Sequence, residues 1–77
     1  MDYVLISRKG CHLCEEAELL LKAQGVLYTL QDVDADERLK KLYTFRVPVL
    51  LWRGQVVLEG KFTLERLSKK LSIAGGF

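Results

Sequence analysis

Apolar positions along this chain change their spacing in a regular order. Residues 3–7, Tyr-Val-Leu-Ile-Ser, form a short run rich in strand formers and are ended by Arg8-Lys9-Gly10. The period then lengthens: Leu13, Ala17, Leu20 and Leu21 recur at helical spacing, with Glu15, Glu16, Glu18 and Lys22 on the opposite face and Leu19 among them. Gly25 lies just past the last turn, where a left-handed cap residue belongs. Val26 to Leu30 reads as a second strand leading into Gln31-Asp32-Val33-Asp34. A short helix follows, with Asp34 or Asp36 as its cap and Leu39, Leu42 and Tyr43 as its apolar face. After Pro48, Val49 to Trp52 reads as a third strand, Arg53-Gly54 as a tight turn and Gln55 to Leu58 as the strand completing a hairpin. Thr63 caps a last helix with Leu64, Leu67 and Leu71 inward, and residues 73–77 are expected to form a frayed tail.

The predicted order is β-α-β-α-β-β-α. Its first part is a βαβ unit with parallel strands, and its second adds an antiparallel hairpin. The expected fold class is therefore α/β, a mixed four-stranded sheet with helices on both faces. A chain of 77 residues holds one domain, here 1–77, without linker, repeat or low-complexity segment. Its only two cysteines, Cys11 and Cys14, close too short a loop to constrain the unfolded chain, so the core rests on packing. A net charge of +2 without a basic stripe argues against nucleic acid as a partner. The longest apolar stretch, Val47 to Trp52, is far short of a membrane span. Met1 to Ser7 lacks the basic start and long apolar region of a secretory signal, so a cytoplasmic location is expected. In a reducing compartment a close cysteine pair reads as catalytic or metal-binding.

Cys11-His12-Leu13-Cys14 sits where the first strand gives way to the first helix. Two intervening residues in the first helical turn bring both sulfurs to one corner. The unsatisfied N–H groups of that turn and the helix dipole favour the thiolate that attacks a disulfide. Arg8 and Lys9 add positive charge beside it, and Glu15 and Glu16 oppose them. Cys11, the outer member, is the expected nucleophile. Cys14, one turn in beside Leu13 and Ala17, is the expected resolving thiol. His12, when protonated, would stabilise the Cys11 thiolate and make the pair more oxidising. A zinc site would need four ligands, and the chain offers no further cysteine or histidine, so no metal is expected.

With these residues in place the chain resembles the thioredoxin superfamily, and most closely its glutaredoxins and small glutaredoxin-like proteins, over residues 3–72. The carriers are Ser-Arg-Lys-Gly-Cys-His-Leu-Cys at 7–14, Val47-Pro48-Val49-Leu50 opening the third strand, Arg53-Gly54 in the hairpin, and Glu59-Gly60 before the last helix. The resemblance implies a thioredoxin-like fold and a cis Pro48 lying against the cysteine pair. It further implies that the backbone N–H and C=O of Val47 pair with an extended substrate. By itself Pro48 reads as an ordinary proline at the start of an edge strand.

The departures bear on substrate. His12-Leu13 replaces the Pro-Tyr common in glutaredoxins. The glutathione-gripping Gly-Gly-x-x-Asp is reduced to Glu59-Gly60-Lys61-Phe62-Thr63, and Glu59 would repel an incoming carboxylate. Gly60, Arg8, Lys9 and Arg46 remain as candidate substrate contacts. Arg38, Lys40, Lys41 and Arg46 otherwise read as a solvated basic face, and Trp52, Tyr28 and Tyr43 as packing.

The expected activity is that of a monomeric thiol–disulfide oxidoreductase. Its partners would be disulfide-containing proteins or small molecules, and glutathione or a thioredoxin-reductase-like donor, with no nucleic acid and no membrane. It would hold no cofactor tightly, with glutathione as a possible, slow reductant. Two other readings are an iron–sulfur cluster or glutathione-binding module without dithiol turnover, and an interaction domain with an idle motif. Cys14 argues against the cluster, which belongs mainly to relatives with a single active cysteine.

Overall fold

The computed structural model describes residues 2–73. The elements are β1 (Tyr3–Ser7), α1 (His12–Ala23), β2 (Thr29–Asp32), a 3-10 turn (Val33–Ala35), α2 (Glu37–Tyr43), β3 (Val49–Trp52), β4 (Gln55–Glu59) and α3 (Leu64–Ile73). They form one mixed sheet in the order β2-β1-β3-β4, with β1 parallel to β2 and antiparallel to β3. This is the expected β-α-β-α-β-β-α architecture.

The alternation of β1 divides the core. Tyr3 and Leu5 join Ala17 and Leu21 of α1, Leu50, Leu58, Phe62, and Leu67 and Leu71 of α3. Ile6 points the other way, to Val33 and Val49, where Leu39 and Tyr43 of α2 pack. Helices therefore cover both faces, α1 and α3 on one and α2 on the other. Trp52 lies against Tyr3, ring centres 4.6 Å apart, so it packs within the hairpin region as expected. The Tyr3 hydroxyl is buried without a hydrogen-bond partner among the described residues.

Local chemistry sets the ends of the elements. Val26 N–H bonds to Leu21 C=O and Gly25 N–H to Lys22 C=O, at 2.9 and 3.0 Å. With Gly25 at φ +70°, this is a Schellman termination of α1. In the hairpin, Arg53 and Gly54 both have positive φ, 50° and 82°, as a tight primed turn requires. Arg53 holds that strained position with its N–H on Asp2 C=O (3.0 Å) and its guanidinium over the Trp52 ring. A bulge follows: Leu50 pairs with Leu58 but Leu51 with Val56, leaving Val57 as the extra residue.

Three sequence expectations are corrected. The second strand begins at Thr29, not Val26, because Val26 is committed to the Schellman motif and Leu27 is exposed. Of the two acids expected to cap α2, Asp36 is the one that does, accepting from Arg38 N–H at 2.8 Å, while Asp32 caps the 3-10 turn. Leu42 is 56% exposed, since the two-turn α2 reaches the core only through Leu39 and Tyr43. Leu64 is 53% exposed, and buried Phe62 lies in the core just ahead of α3 instead. The tail at 74–77 lies outside the described residues. No helix among the described residues is long and apolar enough to cross a membrane.

Candidate functional site

All four strands converge at one end of the sheet. Ser7, the last residue of β1, pairs with Asp32, the last of β2. Ile6 pairs with Val49, the first residue of β3, and Val49 pairs with Glu59, the last of β4. The segments 8–11, 33–36, 44–48 and 60–63 all leave the sheet at that end. Every residue named as a catalytic or substrate-contact candidate is in or beside them.

The cysteine corner is built from backbone bonds. Cys11 N–H reaches back to Arg8 C=O at 3.2 Å, closing a tight loop in which Gly10 takes φ +75°. Cys11 is the N-cap of α1, with extended backbone angles, and its C=O accepts the first helical bond from Glu15 N–H at 3.1 Å. Its sulfur takes the place of a capping oxygen, accepting the Cys14 N–H at 3.2 Å. Cys11 and Cys14 are joined as a disulfide with Cα atoms 5.2 Å apart. Cys11 is half-buried at the surface, whereas Cys14 is 2% exposed, sealed by the first turn. Between them His12 projects into solvent, its side chain 91% exposed and Nδ1 3.8 Å from a Glu15 carboxylate oxygen. Leu13, expected on the apolar face, is exposed at the margin of the pair.

The remaining candidates separate into two groups. Val47, Pro48 and Gly60 lie together on the β3–β4 side, where the Val47–Pro48 peptide is cis and Gly60 N–H bonds to Pro48 C=O at 3.0 Å. Val47 lies outside the strand ladders. Lys9 lies on the β2 side. It lines a groove of about 390 Å³ between α1 and β2 together with Cys14, Glu15, Glu18, Leu30 and Asp32.

Arg8 and Arg46 are engaged within the fold. The Arg8 guanidinium grips Asp34 through Nε (2.8 Å) and Nη2 (2.9 Å). It also donates to the Thr44 carbonyl (3.0 Å) and hydroxyl (2.6 Å). This hydrogen-bonded pairing holds the Asp34 carboxyl below its ordinary pKa and raises that of Arg8. Arg46 bonds the Glu59 carboxylate through Nε at 2.6 Å and lies over the Tyr43 ring. Glu59 is thus paired rather than free to repel a substrate. Asp34 and Thr44 escaped sequence reading because each is tied to Arg8 only across 26 and 36 residues of chain.

A model of the family described as Glutaredoxin-like domain (DUF836) matches residues 3–72. The X-ray structure of Northeast Structural Genomics target protein XcR50 from X. campestris is 33% identical. The match covers 92% of this chain and 96% of that one, with a TM-score of 0.83. Its solution structure gives 33% identity, 95% coverage of both chains and a TM-score of 0.79. The holo form of glutaredoxin C1 from Populus tremula x tremuloides shares the fold, at 21% identity and a TM-score of 0.61, over 94% of this chain and 75% of that one. No curated protein matches the sequence significantly. A cysteine pair at the head of the first helix, this sheet order and a family match over nearly the whole chain place it in the glutaredoxin-like family of the thioredoxin superfamily.

Proposed function

We propose that the protein is a dithiol–disulfide oxidoreductase in which Cys11 attacks and Cys14 resolves. The observation that carries this reading is the asymmetry of the pair. Cys11 meets solvent at the helix N-cap with a backbone N–H directed at its sulfur, while Cys14 is sealed one turn inside. An N–H donor at 3.2 Å and the positive end of the α1 dipole favour the Cys11 thiolate over the thiol.

In the reduced protein, the Cys11 thiolate attacks one sulfur of a substrate disulfide. A Cys11–substrate S–S bond forms, and the substrate's S–S bond breaks with release of the first thiolate, which takes up a proton. Cys14, losing its proton, then attacks the Cys11 sulfur, forming the internal disulfide and releasing the second substrate thiol. Two electrons and two protons pass to the substrate. A dithiol donor, or glutathione acting slowly, restores the pair. Extended substrate segments are read through the Val47 N–H and C=O beside Pro48, a mode tolerant of sequence. A reducing compartment such as the cytoplasm suits this direction of transfer.

Trapping tests the assignment. Cys14→Ser protein, reduced and mixed with a disulfide substrate, accumulates a stable mixed disulfide through Cys11, identified by mass. Cys11→Ser protein forms none. Trapping through Cys14 instead reverses the roles, and trapping through neither shows that the pair is idle.

A further inference from the structure

Two arginines flank the site, and both already hold a carboxylate. Arg8 is three residues before Cys11 and fixes its backbone, because the Arg8 carbonyl accepts the Cys11 N–H. Arg46 immediately precedes Val47-Pro48. Either would be a natural receptor for a carboxylate on a small disulfide, since a guanidinium presents a fork of donors matched to that group. Asp34 fills the Arg8 fork with both of its oxygens, and Thr44 takes two further bonds. Those bonds use four of the five N–H donors of the side chain. Glu59, fixed on β4 opposite Val49, takes Arg46. Each pair sums to zero charge, so neither attracts an anion over distance. Each acid is also held in place by its own chain, whereas a substrate carboxylate must give up translational freedom to compete.

The β2 side adds negative charge. Glu15, Glu18 and Asp32 line the groove beside Cys14, with Lys9 as the cation among them that has no ion pair among the described residues.

We infer that Asp34 and Glu59 are specificity-determining residues that occupy Arg8 and Arg46 and so close the site to disulfides bearing carboxylates, leaving uncharged and cationic disulfides as the preferred class. The inference rests on the dithiol reading above. It makes substrate choice a property of two internal ion pairs contributed by the 3-10 turn and β4, not of the cysteine motif.

The test is a stoichiometric one. Pre-reduced protein is mixed with glutathione disulfide (anionic), bis(2-hydroxyethyl) disulfide (uncharged) or cystamine (cationic), and formation of the Cys11–Cys14 disulfide is followed by quenching with an alkylating reagent. Rates are normalised to the uncharged disulfide, which removes any general change in Cys11 reactivity. Wild-type protein reacts more slowly with the anionic disulfide than with the other two. Asp34→Asn and Glu59→Gln each raise the normalised anionic rate, by up to about fivefold for an exposed charge contact. The double variant multiplies the gains, because the two pairs share no residue. Asp34→Glu, which keeps the charge, retains the wild-type ratio. The gain shrinks as salt is raised.

An anionic-to-uncharged ratio unchanged in both single variants overturns the inference and leaves the dithiol reading intact. Failure of the reduced wild-type protein to react with any of the three disulfides overturns both.

Discussion

Arg8 shows how much one side chain organises at this site. Its carbonyl holds the nucleophile's N–H, while its guanidinium ties the segment after β2 to the end of α2. Tyr28 does a smaller version of the same thing, with its hydroxyl donating to a Glu18 carboxylate oxygen at 2.9 Å and so fastening the loop before β2 to α1. Burial, reinforced by the hydrogen bond to Glu18 and its negative charge, pushes the Tyr28 phenol up to about 12. The unfolded chain ionises near the ordinary value of 10.0, so above it the folded protein binds the additional proton. This contribution to stability is complete below that value and is lost as pH rises through the folded one. Urea midpoints measured from about pH 9 to about pH 12 are expected to fall with pH. Tyr28→Phe should flatten part of that fall, the remainder including Tyr3, whose phenol burial also raises. An identical slope in the variant would show that Tyr28 ionises as it does in the unfolded chain.

At the scale of elements, α1 and α2 form for different reasons. The twelve residues of α1 carry a full apolar stripe, a sulfur N-cap and a Schellman end, and these keep the cysteine corner fixed. By contrast α2 has seven residues, too few to persist alone in water, and no buried residue of its own. It depends on Asp36 at its N-cap, on Leu39 and Tyr43 against the sheet, and on Thr44 held by Arg8. Asp36→Ala is expected to lower stability by about 1 kcal/mol, read as a reduced urea midpoint at unchanged slope. A midpoint equal to wild type would mean that tertiary contacts hold α2 without its cap. Both caps of this region were visible as acids in the sequence. Which of Asp34 and Asp36 capped α2 was not, because the two offer equivalent local chemistry and only the distant Arg8, which takes Asp34, distinguishes them.

For the molecule as a whole, the core is one sheet filled from both faces, and its helices contribute unequally. Leu67 is fully buried with Leu5 and Leu50, whereas Leu64 on the same helix is half-exposed. Leu67→Ala should therefore cost about 2–5 kcal/mol, and Leu64→Ala within about 0.5 kcal/mol. Equal losses in chemical denaturation would contradict this packing. Periodicity marked both leucines as inward, because it reports the face of a helix and not how far the neighbouring layer extends. Order and type of the elements, the left-handed Gly25, the Arg53-Gly54 turn and the cysteine corner were legible in the sequence, since each is decided by residues within a few positions of one another. The tertiary structure alone decided the exposure of Leu42 and Leu64, the joining of Arg8 to Asp34 and Thr44, and of Arg46 to Glu59. The joined side chains stand 13 to 36 positions apart, and they and the packing of the two helices exist only after the sheet has brought four strand ends to one end.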